Sequence, residues 1–181
     1  MQDIEIINEV LNGNQHAFKQ LVEKHNDVLF RTALGFVHNR EDAEEIVQDS
    51  FVKAYRSLGM FAGKSSLSTW LYRIVVNQSI NHLKTKKRKT FWTTMSEKFT
   101  GKSSNASPGE IVEQEEQDRM VRLAIEQLPE KQRIAFVFSK YEELPQKVIA
   151  EIMKSSEGAV EQLIQRAKTN LRKKLTGHRN S

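Results

Sequence analysis

A chain of 181 residues with 28% charged and 38% hydrophobic side chains fits one ordinary domain or two small ones, and it can bury a core. Its net charge is +5, with lysine and arginine clustered at 84–89 and 166–179, which favours a nucleic-acid partner over a generally basic surface. The absence of cysteine excludes disulfides, thiolate metal sites and a thiol nucleophile.

The N-terminus carries acids where a signal peptide would carry basic residues, and no apolar run approaches the ~18 residues of a membrane span. We therefore expect a cytoplasmic protein with no membrane insertion.

Apolar residues recur at helical spacing from the start of the chain. They predict a short first helix, with an apolar face made by Ile4, Ile7, Val10 and Leu11. Residues 12–14 (Asn-Gly-Asn) end it, and a long amphipathic helix is predicted over about 15–37. His25 lies on the apolar face of this second helix, where a core histidine with its hydrogen bonds satisfied is favoured over a functional one.

An acidic helix is predicted to begin at Glu41, with acids at its positive end. Its inner stripe consists of Ala43, Ile46, Val47, Ser50, Phe51, Ala54, Tyr55 and Leu58. Its outer face consists of Glu41, Glu44, Glu45, Gln48 and Asp49. This face is either merely solvated or a docking surface for a positively charged protein, since it would repel DNA phosphates.

Residues 61–69 predict a loop, and Ser68 is the predicted N-cap of a central helix that reaches Lys89. One polar stripe of that helix, roughly 80° wide, holds Arg73, Asn77, Asn81, Lys84 and Arg88. Two readings remain open: a core helix with a solvated basic tail, or a nucleic-acid surface. An aromatic, hydroxyls and an amide at the loop and helix start can hold an unstacked base.

Residues 93–109 are rich in Ser, Thr and Asn and lack periodicity, which predicts a flexible linker. Phe91, Trp92 and Phe99 are exceptions that dock either onto a partner or onto the first domain.

The second half begins near Glu110 with a helix whose apolar face is predicted to be Val121, Ala124, Ile125 and Leu128. A short helix at 146–153, a turn at 154–156 and a longer helix at 157–175 predict a helix-turn-helix, whose second helix enters the major groove. Its outer glutamines can pair with adenine, and its lysines and arginines with guanine or phosphate. A plain helical hairpin is the alternative.

Five segments together resemble the extracytoplasmic-function sigma factors of bacterial RNA polymerase. In chain order these are DAEEIVQDSFVKAYRSL, FAGKSSLSTW, TWLYRIVVNQSINHLK, LPEKQRIAF and GAVEQLIQRAKTNL. The resemblance covers nearly the full length. It implies an all-α fold of two small helical domains, 1–90 and 111–181, joined by a flexible linker at 91–110.

For the first domain, the resemblance implies docking on the clamp coiled coil of the largest polymerase subunit, with Glu45, Gln48, Asp49 and Phe51 as contacts. It also implies reading and melting of the minus-ten element as double- and single-stranded DNA. The residues implied in that role are Phe61, Gly63, Lys64, Ser65, Ser66, Ser68, Thr69, Trp70, Arg73 and Asn77. Lys84, Lys86, Lys87 and Arg88 would hold phosphates, which fixes position without encoding sequence.

For the second domain, the resemblance implies binding to the flap of the second-largest subunit and reading of the minus-thirty-five element. The DNA-facing residues would be Ser156, Glu157, Ala159, Glu161, Gln162, Gln165, Arg166, Lys168 and Arg172. The chain departs from the family's usual residues in this domain. Glu161 stands where a basic residue is frequent, and Lys154 stands where glycine is usual. Ser155 replaces an apolar residue, Pro145 replaces a capping hydroxyl, and Val148 stands where an acid is common.

The implied function is promoter-specific transcription initiation, with an anti-sigma factor as a further partner. A sigma mimic, which would occupy the anti-sigma factor without binding promoters, is the alternative. An enzyme is disfavoured, because the five histidines share no metal-ligand spacing and no glycine-rich phosphate loop follows a strand. Neither a cofactor nor a metal is expected.

Overall fold

The computed structural model describes residues 3–98 and 112–177, and within these ranges all regular structure is helical. The helices are α1 (Asp3–Leu11), α2 (Ala17–Val37), α3 (Arg40–Ser57), α4 (Leu67–Lys98), α5 (Val112–Glu126), α6 (Glu130–Lys140), α7 (Gln146–Met153) and α8 (Glu157–Gly177), with a short 3-10 turn at Leu58–Met60. This confirms the all-α prediction.

The N-terminal half is a bundle in which α2, α3 and α4 pack against one another and α1 lies along α2. His25 is 4% exposed, and its Nε2 lies 3.7 Å from Asp3 of α1. Its predicted place in the core is confirmed, but its Nε2 has no hydrogen-bond partner. Ile6 is buried, whereas Ile4 and Leu11 are exposed. The apolar face predicted for α1 was wrong at these two positions, because the helix buries the side that faces α2.

Helix α3 begins one residue earlier than predicted, at Arg40, because the Asn39 side chain caps it by accepting a hydrogen bond from the Asp42 amide at 2.8 Å. Tyr55, predicted for the inner stripe, is 39% exposed. It lies at the edge of the stripe, where its ring meets Phe18 edge-on at 5.1 Å.

Helix α4 continues to Lys98, so residues 91–98 of the predicted linker are helical. The run from Lys89 to Lys98 contains no glycine or proline, and a helix that is already nucleated propagates through such a sequence. The remainder of the predicted linker at 99–110, the side chains of Phe91 and Trp92, and Phe99 lie outside the described residues.

In the C-terminal half, α6 and α7 pack on α8, and α5 closes the other side of α8 through Ile125, Leu128 and Leu171. Val121 is 38% exposed, so the apolar face predicted for α5 is narrower than expected. The helix-turn-helix has its predicted form. Lys154 takes the left-handed conformation (φ 51°), and its amide donates to the carbonyls of Ala150 and Glu151. A lysine in that conformation costs roughly 1 kcal/mol relative to glycine.

The two halves share one hydrophobic core. Phe138 of α6 is fully buried, and its ring meets Phe36 of α2 at 6.4 Å and Tyr72 of α4 at 5.2 Å. Gly35 permits this approach, because a Cβ atom there would lie 3.0 Å from a methyl group of Val137. The C-terminal half therefore packs closely against the first.

Polar groups are also buried at this contact. The Glu142 side chain is 1% exposed, with Oε2 3.7 Å from Arg31 and Oε1 without a hydrogen-bond partner. Burial raises the pKa of Glu142 despite the opposing effects of Arg31 and Thr32. Burial, together with Arg122 and Arg133, lowers the pKa of His38 to about 4.

We predict that Glu142→Gln makes the protein more stable at pH 8. Because the folded-state pKa is raised, the folded chain binds this proton more tightly than the unfolded chain, so stability falls as the pH rises through the folded pKa. The neutral amide of glutamine removes this loss of stability. The difference in free energy of unfolding between the variant and the parent should vanish toward pH 4. Urea unfolding across this range measures it, with Glu143→Gln, a neighbouring exposed position, as control. A destabilised variant at pH 8 would contradict the interpretation.

Candidate polymerase and nucleic-acid interfaces

The outer face of α3 is acidic and exposed, as predicted, at Glu45, Gln48 and Asp49. Beside it lies a groove of about 600 Å³ between α2 and α3. The groove has an apolar floor and a polar rim that includes the cation of Arg40, which pairs with Glu44. Its lining consists of Val22, Asn26, Asp27, Phe30, Arg40, Glu44, Val47, Gln48, Phe51 and Val52. Phe51, a predicted contact, is only 7% exposed, so it contributes to the floor of the groove rather than projecting from the helix.

The loop before α4 is fixed by its own hydroxyl groups. Ser66 Oγ accepts a hydrogen bond from the Thr69 amide at 3.1 Å and donates to Thr69 Oγ1 at 2.9 Å. Ser66 is therefore the N-cap, and the prediction of Ser68 was wrong, because α4 already begins at Leu67. Thr69 is buried by this arrangement, which leaves it structural rather than exposed to a base.

Several predicted minus-ten residues do lie together. Phe61 and Trp70 contact each other with ring centroids 5.4 Å apart, and both are half-buried. Gly63 has a φ of +65°, which favours glycine at the tip of the loop. Lys64 is exposed, Ser65 and Ser68 are half-buried, and Asn77 is exposed almost three turns into α4.

The predicted phosphate contacts on α4 are exposed, but several already have partners within the protein. The Lys84 amine lies 2.9 Å from a Glu130 carboxylate oxygen, and the Lys87 amine donates to the Glu126 carbonyl at 3.3 Å. Lys86 donates to Asp42 at 2.7 Å. Burial alone would raise the pKa of Asp42, but Lys86 and His82 hold it below its usual range.

Arg73 is also engaged. Its guanidinium donates to the carbonyls of Glu151 at 2.5 Å and Ile152 at 3.2 Å, at the end of α7. No local pattern signals this contact, because 78 residues separate the donor from the nearer acceptor.

The predicted minus-thirty-five residues form one face. The Ser156 Oγ caps α8 by accepting a hydrogen bond from the Ala159 amide at 3.2 Å. Ala159 itself is half-buried. The other predicted side chains are exposed, namely Glu157, Glu161, Gln162, Gln165, Arg166, Lys168 and Arg172. Four of them, at 161, 162, 165 and 166, line one shallow surface depression.

A cleft of about 740 Å³ joins the two predicted DNA-binding sets. Lys64, Ser65 and Arg73 line one side, and the helix-turn-helix lines the other with Lys147, Glu151 and residues 154–157. Lys147 and Glu151 were not among the predicted site residues, because they belong to the site only when the two halves are packed together.

Comparison with known proteins identifies both halves. Residues 21–89 match the family model of Sigma-70 region 2, and residues 118–171 match that of Sigma-70 region 4. The RNA polymerase sigma-H factor of Pseudomonas aeruginosa is 34% identical over 181 residues, which cover 96% of this chain and 94% of the relative. The ECF RNA polymerase sigma-E factor of Haemophilus influenzae is 31% identical, with 97% and 96% covered. The chain belongs to the extracytoplasmic-function sigma factors.

As a member of this family, the chain is a transcription initiation factor that binds core RNA polymerase and directs it to promoters. The structure is similar to CnrH, solved in complex with the cytosolic domain of CnrY, with a TM-score of 0.67, 25% sequence identity and 97% of each chain covered. In the sigma factor described here, α1 to α4 contain region 2, and α5 to α8 contain region 4. Within the described residues, no helix is long and apolar enough to cross a membrane.

We predict that Ser66→Ala destabilises this sigma factor by about 1 kcal/mol, because it removes the N-cap of α4. Ser68→Ala is the matched control and should change stability much less. Chemical denaturation measures both. Equal losses from the two substitutions, or a larger loss from Ser68→Ala, would mean that Ser66 does not act as the cap.

Proposed function

We propose that this factor acts in the cytoplasm and docks on the clamp coiled coil of the largest polymerase subunit through the acidic face and groove of α3. The supporting observation is that exposed Glu45, Gln48 and Asp49 adjoin an apolar-floored groove. Such a surface fits a helical partner that presents an apolar stripe flanked by cations. The acidic charge would repel DNA, which keeps this face apart from the promoter contacts.

The groove gives the docking surface two components. Val47, Phe51 and Val52 provide apolar contact area, with Val52 itself exposed. Gln48 provides a polar contact at the edge of the groove, and Asp49 provides a charged contact outside it. Burial of the apolar part supplies affinity, and the charges favour the approach of a basic partner.

We predict that Gln48→Ala combined with Asp49→Lys weakens binding to core polymerase by tenfold or more, since an attractive charge becomes a repulsive one. Both side chains are exposed, so the fold should be retained. Titration of labelled sigma factor with core enzyme measures the affinity, and Glu5→Lys on α1 is the control for added positive charge. Unchanged affinity of the double variant would remove α3 from the interface.

The loop at 61–66 and the start of α4 are proposed to capture an unstacked base of the minus-ten element. The Phe61–Trp70 pair offers aromatic surface, and Asn77 offers an exposed amide with both a donor and an acceptor. Lys84, Lys86, Lys87 and Arg88 are proposed to bind phosphates beyond it.

We predict that Asn77→Ala reduces open-complex formation more than it reduces total promoter affinity, because phosphate contacts supply most of the affinity and base contacts supply selectivity. Asn81→Ala, an exposed asparagine one turn further along α4, is the matched control and should affect neither. Permanganate footprinting of melted thymines and filter binding give the two quantities. Equal losses in both would make Asn77 a structural amide only.

Helix α8 is proposed to read the minus-thirty-five element through Glu161, Gln162, Gln165 and Arg166, with Lys168 and Arg172 on phosphates. Exposed glutamines suit adenine, and Glu161 is able to accept a hydrogen bond from a cytosine amino group. The exposed part of α5 and the adjoining end of α8, at Leu123 and Leu175, are the proposed contact with the flap of the second-largest subunit.

An anti-sigma factor is the further proposed partner, supported by the likeness to CnrH, which was solved with a second protein bound. Promoter-directed initiation is favoured over a sigma mimic, because the DNA-facing positions of both matched regions carry exposed polar and basic side chains. The factor is proposed to act by binding and positioning, with bond formation left to the polymerase.

A further inference from the structure

One carboxylate joins the docking helix α3 to the basic end of α4. Asp42 Oδ2 accepts a hydrogen bond from the Lys86 amine at 2.7 Å and lies 3.3 Å from His82 Nε2. His82 and Lys86 are four residues apart, so they lie on the same face of α4. A single oxygen atom of α3 therefore contacts two neighbouring side chains of the helix that is assigned to promoter DNA.

The position of Asp42 is fixed by the start of α3. Its amide donates to the capping side chain of Asn39 at 2.8 Å, and the positive end of the helix dipole favours an acid in the first turn. The Asp42 side chain is only 21% exposed. Burial alone would raise its pKa, but the hydrogen bond and charge of Lys86, together with His82, hold that pKa below its usual range. The carboxylate is therefore ionised at neutral pH.

Lys86 differs in its partner from the neighbouring lysines of α4. Lys87 donates to a backbone carbonyl, which carries no net charge, and the Glu130 carboxylate that pairs with Lys84 is 48% exposed. Solvent and salt screen an exposed pair of charges more than a partly buried pair. Among these three lysines, Lys86 therefore has the charge that its partner offsets most fully.

This offset acts on the part of DNA binding that is independent of sequence. Contacts between cations and phosphates supply affinity without reading bases, and each contact makes the affinity more sensitive to salt. A phosphate that approaches Lys86 is repelled by the charge of Asp42 and has to replace it as the acceptor. Asn77 lies nine residues earlier on α4, or about 14 Å at ~1.5 Å per residue. That distance exceeds the ~10 Å screening length at 0.1 M salt, so Asp42 leaves the base-reading groups unaffected.

We propose that Asp42 limits the sequence-independent DNA affinity of the factor by competing with phosphate for Lys86. The proposal rests on the assignment of α4 to promoter DNA under the proposed function, and it refines that assignment. Lys86 contributes less to phosphate binding than Arg88, which is exposed two residues further along the helix. The base-reading groups then account for a larger share of the promoter affinity.

The test measures equilibrium binding of the factor, with saturating core polymerase, to duplex DNA between 50 and 200 mM salt. One duplex carries a promoter, and the other is a non-promoter sequence of equal length. Asp42→Asn removes the negative charge but keeps the shape and one acceptor oxygen of the side chain. Glu41→Gln, at the neighbouring exposed position, is the matched control, because it makes the same change in net charge.

We expect Asp42→Asn to free one cation and to steepen the slope of log affinity against log salt by about 0.9 on both duplexes. The gain in affinity over the parent should therefore be roughly 3.5-fold larger at 50 mM than at 200 mM salt. Lys86→Ala in the Asp42→Asn background should abolish this gain, and Glu41→Gln should retain the slope of the parent.

A parental slope for Asp42→Asn would overturn the proposal. A loss of affinity would also overturn it, because Asp42 would then orient Lys86 toward phosphate rather than compete for it. Should Asp42→Asn fail to fold or to bind core polymerase, two substitutions at exposed positions decide the question. Lys86→Ala should flatten the slope of the parent much less than Arg88→Ala does, whereas equal flattening would overturn the proposal.

Failure of the proposed function gives a different result. An unchanged slope for Arg88→Ala would remove the basic end of α4 from the DNA interface altogether. A slope flattened by about 0.9 for Arg88→Ala, together with a parental slope for Asp42→Asn, would overturn only the role of Asp42.

Discussion

The close approach of α2 and α6 at Gly35 is the constraint on which the arrangement of the molecule depends. A hydrogen atom in place of a side chain lets Val137 reach the backbone of α2, which brings Phe138 between Phe36 and Tyr72. Once α6 is seated there, α7 and its C-terminus lie against Arg73. The polar contacts between the halves therefore follow from an apolar contact made elsewhere.

Charge is divided between surfaces in a way that suits two kinds of partner. The acids of α3 face away from the core beside an apolar groove, and the cations of α4 face region 4 or solvent. Asp42 and Lys86 link the two surfaces directly. Carbonyl groups of the chain and phosphates can both accept hydrogen bonds from these cations.

Much of this could be predicted from sequence. Helical periodicity located α2, α7 and α8 closely, and the order of segments identified the family, because local pattern determines both. The predictions that were wrong depended on contacts between particular side chains, which helical periodicity does not encode. The choice between Ser66 and Ser68 as cap depends on where the first turn of α4 begins. The contacts of Arg73 and Lys87 with region 4 join distant residues, so no local signal could reveal them.

The distance between the two DNA-binding sets tests the central claim most directly. The chain has no cysteine, so Lys64→Cys with Lys154→Cys places two spin labels on opposite sides of the cleft without other changes. Pulsed electron paramagnetic resonance of the free factor should give one short, narrow distance. A free factor that shows a long, broad distance distribution would contradict the account.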